Sequence, residues 1–208
     1  MTNDEFTVFL VDDDEGVLKA IGRLLQARGY RIQPFTSPTA FLASHDVSIP
    51  GCALLDLSMP DLDGLALQQA LSACGSERQV IFLTAKGDIP TSVRAMRAGA
   101  IDFLTKPVND TDLLRAVQEA ERKDGEIRSK AASLNSIITK LALLTPREQE
   151  VMKHVVAGRL NKQIAGELGT VEKTIKVHRG RVMNKLGVRS VADLVRLAER
   201  AGIAGVGS

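Results

Sequence analysis

The sequence predicts two architectures in tandem: an α/β, doubly wound, five-stranded parallel sheet, then an all-α unit of four helices. Three observations lead there. Five short apolar runs alternate with amphipathic stretches through the first 123 residues. From about residue 143 the pattern turns wholly helical, punctuated by capping residues and glycines. The charge divides with it: residues 1–123 carry 12 Lys+Arg against 17 Asp+Glu, and residues 124–208 carry 15 against 8. An acidic half joined to a basic half fits two domains, and the basic one suits a polyanion.

Strands are expected at Thr7–Val11, Arg31–Phe35, Cys52–Asp56, Val80–Thr84 and Ile101–Thr105. Helices are expected at Glu15–Arg28, Pro38–Ser44, Leu65–Ala73 and Ile89–Ala98, with another beginning near Asp110. In the first helix Val17, Leu18, Ile21, Leu24 and Leu25 form one stripe, which Gly29 ends. Ser37 before Pro38 has the pattern of an N-cap followed by proline in the first turn. Leu113, Val117, Ala120, Asp124, Ile127, Ala131, Leu134, Ile138 and Leu141 are spaced alternately four and three apart. That predicts one long helix with a weak point at Asp124-Gly125, where a charge interrupts the seam beside a helix-weakening glycine. Beyond it, Thr145-Pro146-Arg147-Glu148 has capping-box spacing and opens a helix through Val151, Val155 and Val156 to Gly158. Asn161 is expected to cap the next, which ends at Gly169. A third runs from Glu172 to Leu186 and stops at Gly187, and Ser190 with Asp193 caps a fourth ending near Gly202. Two short helices across a glycine turn make a helix-turn-helix.

Composition narrows the function classes. With 44% hydrophobic and 25% charged residues in 208, the chain is neither disordered, collagen-like nor a small disulfide scaffold. No apolar run reaches the roughly 18 residues of a membrane span. The polar, acidic start Met1-Thr2-Asn3-Asp4-Glu5 does not resemble a signal peptide, so a cytoplasmic location is expected. Cys52 and Cys74 are isolated and expected to be reduced, structural thiols.

In a doubly wound sheet, ligands bind at the carboxyl ends of the strands. The first strand ends in Asp12 and Asp13, the third in Asp56 and the fourth in Thr84, and the fifth leads to Lys106. Crowded carboxylates repel one another, and an all-oxygen set suits a hard cation such as Mg²⁺. The set "VDDD", "LDLSMPDLDG", "LTA" and "TKP" resembles the receiver domain of two-component response regulators, a flavodoxin-like (CheY-like) fold, over about residues 4–123. The resemblance implies that Asp56 takes a phosphoryl group from a sensor histidine kinase. It also implies Mg²⁺ on Asp13, Asp56 and the backbone carbonyl of Ser58, with Asp12 assisting. Lys106 and Thr84 would contact the phosphoryl oxygens, Phe103 would be the aromatic switch, and Lys106–Pro107 would be cis. A phosphatase of the haloacid-dehalogenase type also uses a strand-end Asp, a Thr and a Lys. It needs a second Asp two residues after the nucleophile, where this chain has Ser58.

"LTPREQEV", "NKQIAGELG", "KTIKVHRGRVMNKLGVRS" and "ADLVRLA" resemble the DNA-binding domain of LuxR-type regulators, the NarL–FixJ group of response regulators. Helical phase puts Lys173, Lys176, Val177, Gly180 and Asn184 on one side of the third helix, and Ile175, His178, Val182 and Leu186 on the other. The resemblance implies that Lys176 and Val177 read base edges. Arg181 and Lys185 flank that face and suit phosphate contacts. Asn161, Lys162, Lys173, Thr174 and Gly180 complete the expected DNA-facing set. Val171 stands where the family commonly has a capping Ser, leaving the cap to Thr170 or to nothing.

The expectation is a transcription factor rather than an enzyme, built from a receiver (4–123), a helical linker (124–142) and a LuxR-type helix-turn-helix domain (143–208). Its expected partners are a sensor kinase, double-stranded promoter DNA and a second copy of itself when phosphorylated, with RNA polymerase a further candidate and no membrane. The alternative is a constitutive DNA-binding regulator whose receiver only binds protein. The acids, Thr84 and Lys106 argue against it.

Overall fold

Strand β1 (Thr7–Val11) is buried along its whole length, because it lies inside a parallel sheet covered on both faces. With β2 (Arg31–Phe35), β3 (Gly51–Asp56), β4 (Gln79–Thr84) and β5 (Asp102–Thr105) it forms a sheet of order β2-β1-β3-β4-β5, every pair parallel. The computed structural model describes residues 6–85, 89–203 and 205, with residues 89–92 by backbone alone. Met1–Glu5, and with them the expected domain start at residue 4, lie outside these.

Strand periodicity sorts the core into two layers. Val8, Leu10, Leu54, Ile81 and Leu83 face α1 (Glu15–Gln26) and the start of α5 (Asp110–Ala142). Phe9, Val11, Ala53, Leu55 and Phe82 pack with Phe41 of α2 (Pro38–Ser44), Leu67 and Leu71 of α3 (Gly64–Ala73) and Ala95 of α4 (Ile89–Arg97). Edge strand β2 carries exposed Pro34, whose missing N–H breaks no ladder there. The expected strands and helices are all present, with ends shifted by one or two residues.

Helix α5 is continuous over 33 residues, and the weak point expected at Asp124-Gly125 is not a break. Asp124 is buried and accepts a hydrogen bond of 2.8 Å from Arg128 Nε. The Arg128 guanidinium also donates to the carbonyls of Val47, Ser48 and Ile49 at 2.9, 2.9 and 2.8 Å. Arg78 reaches the same loop: its Nη2 donates to Asp46 O at 2.7 Å, while its guanidinium lies 4.3 Å from the centre of the Phe9 ring. Asp124 interrupts the apolar seam because it holds the arginine that fastens the helix to the α2–β3 loop. Leu113, Val117 and Ala120 belong to the sheet core, whereas Leu134 and Ile138 are exposed.

The chain divides into units 1–128 and 129–208. The second gathers Leu144, Val151, Met152, Val155, Ile164, Ile175, Val182, Leu186 and Leu194 into its own core. Its helices after α5 are α6 (Pro146–Val156), α7 (Asn161–Glu167), α8 (Glu172–Leu186) and α9 (Val191–Arg200). Capping boxes open α6 (Thr145 with Glu148) and α9 (Ser190 with Asp193), as their spacing predicts. The expected cap of α7 is displaced by one residue. Asn161 is the first helical residue, Leu160 is the N-cap, and Gln163 Oε1 accepts from Leu160 N–H at 2.8 Å. Val171 precedes α8 with no side-chain cap at all. Cys52 is buried and Cys74 exposed, both free, so a packing role is open to Cys52 alone.

Candidate functional site

At the carboxyl ends of β1 and β3, a buried aspartate meets a buried aspartate across one lysine. Lys106 Nζ lies 2.6 Å from Asp12 Oδ2 and 2.8 Å from Asp56 Oδ1. The remaining oxygens are aligned by the backbone: Asp14 N–H donates to Asp12 Oδ1 and Ser58 N–H to Asp56 Oδ2, both at 3.0 Å. Asp13 is exposed beside them, and carboxylate oxygens of Asp12, Asp13 and Asp56 all lie within 4.8 Å of one another. Among the described residues, three carboxylates thus gather at one ammonium, which touches two of them. Burial pushes the Asp12 carboxyl above its ordinary range, against the pull of Lys106 and the Asp14 N–H. Burial works to lower the Lys106 pKa, but the hydrogen bonds to Asp12 and Asp56 together with their negative charge outweigh it, and the net shift is upward. The donor set is all oxygen and its charge is under-compensated, which fits a hard divalent cation.

Local chemistry fixes each participant. Asp14 caps α1 through Oδ1, accepting from Gly16 N–H at 2.7 Å, and so turns the chain directly after Asp12 and Asp13. Asp63 caps α3 in the same manner, accepting from Ala66 N–H at 2.7 Å. Next to it Gly64 is required by proximity: a Cβ there would come within 2.4 Å of the Asp56 carbonyl oxygen. Thr84 is buried at the end of β4, and its carbonyl accepts the Lys106 N–H at 2.7 Å. The Lys106–Pro107 bond is cis, as the resemblance implies. Phe103 is partly buried against the α4-side core.

In the second unit, Lys173, Lys176, Val177, Gly180, Arg181 and Asn184 are exposed on α8, while Ile175, Val182 and Leu186 are buried. Helical phase sorts these faces as the sequence predicts, and His178 is half-buried. Lys162 is exposed at the start of α7, and Thr174 and Asn161 are half-buried. Asn161 Oδ1 accepts from Arg179 Nη1 at 3.0 Å, joining α7 to α8. The Lys185 ammonium is engaged within the domain, donating to buried Glu148 at 2.6 Å and to the Leu143 carbonyl at 3.0 Å.

Residues 8–118 match the family of response regulator receiver domains, and residues 142–198 match the luxR family of bacterial regulatory proteins. The chain is a response regulator. It is 42% identical over 200 residues to the response regulator protein TmoT of Ectopseudomonas mendocina, covering 96% of this chain and 91% of that one. It is 36% identical to the transcriptional regulatory protein FixJ of Bradyrhizobium diazoefficiens, over 94% of this chain and 96% of that one. Among solved structures, the response regulator StyR matches at 42% identity with a TM-score of 0.87, covering 94% of this chain and 99% of that one. A receiver joined to a LuxR-type DNA-binding domain makes this response regulator a two-component transcriptional regulator, whose domain pair implies a kinase phosphodonor and DNA as partners. Among its described residues no helix is long and apolar enough to cross a membrane.

Sequence reasoning missed two groups in this response regulator. Arg78 and Arg128, the latter held by Asp124, have partners about 30 and 80 residues away along the chain, which no local pattern links. Glu148 was legible as a capping residue but not as the partner of Lys185, 37 residues on.

Proposed function

We propose that Asp56 is the phosphoacceptor of this response regulator and that its phosphorylation controls binding of α8 in the major groove of promoter DNA. The observation that carries this reading is the shared Lys106 between buried Asp12 and Asp56, with Asp13 alongside. A carboxylate oxygen of Asp56 attacks the phosphorus of a phosphohistidine on the sensor kinase. A P–O bond forms, the P–N bond breaks, and the electron pair leaves on the imidazole, which takes up a proton. Lys106 neutralises charge on the transferring oxygens, and the Thr84 hydroxyl hydrogen-bonds one of them. Asp12, Asp13, Asp56 and the Ser58 carbonyl would hold Mg²⁺, which when bound neutralises phosphoryl charge. The aspartyl phosphate carries about −1.5 to −2 charges where the carboxylate carried −1, and places them further out on three phosphoryl oxygens at the strand ends. Thr84 and Phe103 answer that charge by shifting, and the surface changes with them.

On this reading residues 4–123 are the receiver, 124–142 the linker and 143–208 the DNA-binding domain. Lys176 and Val177 read base edges. Lys162, Lys173, Thr174 and Arg181 contact the backbone, Asn161 supports them at the start of α7, and Gly180 permits close approach. Phosphorylation favours a homodimer, the protein works in the cytoplasm as a regulator rather than an enzyme, and RNA polymerase is its downstream contact. The test is incubation with acetyl phosphate and Mg²⁺, followed by mass spectrometry. One phosphoryl group should appear on Asp56 and none on the Asp56→Asn variant. Equal labelling of both proteins overturns the assignment.

A further inference from the structure

The first turn of α6 holds the ends of both helices of the helix-turn-helix. Arg147 Nη2 donates to the carbonyl of Leu168, the residue that ends α7, at 2.6 Å. Glu148 Oε2 accepts from Lys185 Nζ at 2.6 Å in the last turn of α8. The same carboxylate oxygen closes the capping box by accepting from Thr145 N–H at 2.9 Å. Lys185 also donates to the Leu143 carbonyl at 3.0 Å, immediately after the long α5 helix. Glu148 is only 2% exposed, so its charge depends on these donors. The Lys185 hydrogen bond, with the Thr145 N–H behind it, holds the Glu148 carboxyl below its usual range.

The other end of α8 has no such fastening, since Val171 offers no side-chain cap. Its polar anchors lie further along, in the Arg179–Asn161 hydrogen bond and the Lys185 junction. We propose that Lys185 is a positioning residue for DNA recognition: by joining the last turn of α8 to Glu148 and the Leu143 carbonyl, it sets the tilt of the helix. This rests on the reading of α8 as the recognition helix. At a rise of 1.5 Å per residue, Lys176 lies about 13 Å along the axis from Lys185. A tilt of roughly 10° about Lys185 therefore displaces Lys176 by ~2 Å, enough to break a hydrogen bond to a base edge. The junction also attaches the chain leaving α5 to the reading helix, so whatever moves residue 143 moves α8.

Positioning and phosphate contact differ in salt dependence. A lysine on a phosphate contributes about one to the slope of log affinity against log salt and acts on every sequence alike. A positioning lysine leaves the slope intact and lowers discrimination. The experiment measures affinity of the full chain for a duplex selected by the wild-type protein from a random library, and for unselected random duplex, from 50 to 300 mM salt. Lys185→Met should weaken the selected duplex at least tenfold and the random duplex less than twofold, with the slope unchanged. Glu148→Gln, which removes no positive charge, should do the same. The double variant should be no worse than either single change, and Lys185→Arg should recover most of the discrimination. The double variant buries no unpaired charge and carries the test if Lys185→Met does not fold. The proposal is overturned if both duplexes weaken equally with a slope lower by about one, or if Glu148→Gln binds like wild type. Lys176→Ala is the control for the underlying reading. If it leaves selected binding unchanged, α8 is not the reading helix and the proposal falls with that assignment; if it weakens selected binding while Lys185→Met does not, the positioning claim alone fails.

Discussion

Lys106 and Lys185 each meet a buried carboxylate, and the surroundings give the two pairs opposite characters. Around Lys106, among the described residues, two buried aspartates meet a single ammonium at 2.6 and 2.8 Å, with exposed Asp13 beside them. The balance is short of positive charge, and burial pushes Asp12 towards its neutral form. Around Lys185, one glutamate faces one ammonium and one backbone N–H, and its carboxyl is held towards the charged form. The first arrangement is stable only as an open question for a cation or a phosphoryl group; the second is closed. An under-compensated buried cluster marks chemistry, whereas a compensated pair marks a joint.

The comparison breaks most visibly in stability. Lys185→Met leaves Glu148 buried and unpaired, and should cost the second unit about 2 kcal/mol, below the value for fully enclosed pairs because Lys185 is partly solvated. The pH dependence sharpens this. A carboxyl whose folded pKa is depressed stabilises fully above its unfolded value, near 4.3 for Glu, and that stability is lost as pH falls through the depressed value. The wild-type melting temperature should therefore drop more steeply than that of Glu148→Gln once pH goes below about 4. If the two acid profiles coincide, the pair contributes nothing.

A middle-sized effect tests another buried carboxylate, Asp124. Arg128→Ala removes three bonds to the 47–49 carbonyls and leaves Asp124 without its donor, which should cost the first unit ~1–2 kcal/mol. Hydrogen exchange should rise over residues 124–128 and not at the strand-end site. Exchange unchanged around Asp124 would show that α5 does not depend on this fastening. The smallest change has the opposite sign. Asp56→Asn relieves the surplus negative charge, so the first unit should melt at the same temperature or gain about 1 kcal/mol. A clear loss there would mean the cluster is already balanced.

How much of this was legible in the sequence follows the distance between partners. The sheet, its order of elements and the strand-end cluster were readable because apolar runs place Asp12, Asp13, Asp56, Thr84 and Lys106 at one edge whatever else happens. The capping boxes at Thr145 and Ser190 were readable because their partners are three residues away. The partners of Lys185 were not readable, because phase puts it beside the DNA face and carries no information about where a long flexible side chain ends. Asp124 interrupts the seam to hold Arg128, whose own partners at 47–49 lie on a loop that only the folded sheet brings near. Asn161 follows the general preference for caps, yet Gln163 serves the α7 terminus from the inside, so the residue before it needs no polar side chain.

The central claim is that charge added at Asp56 changes what α8 does. The direct measurement is affinity for the selected duplex before and after acetyl phosphate treatment, in wild type and in Asp56→Asn. Phosphorylation should tighten wild-type binding at least tenfold, equivalent to about 1.4 kcal/mol, and leave the variant unchanged. Equal affinity of the fully phosphorylated and untreated wild-type protein would contradict the account and leave a DNA-binding protein that its receiver does not control.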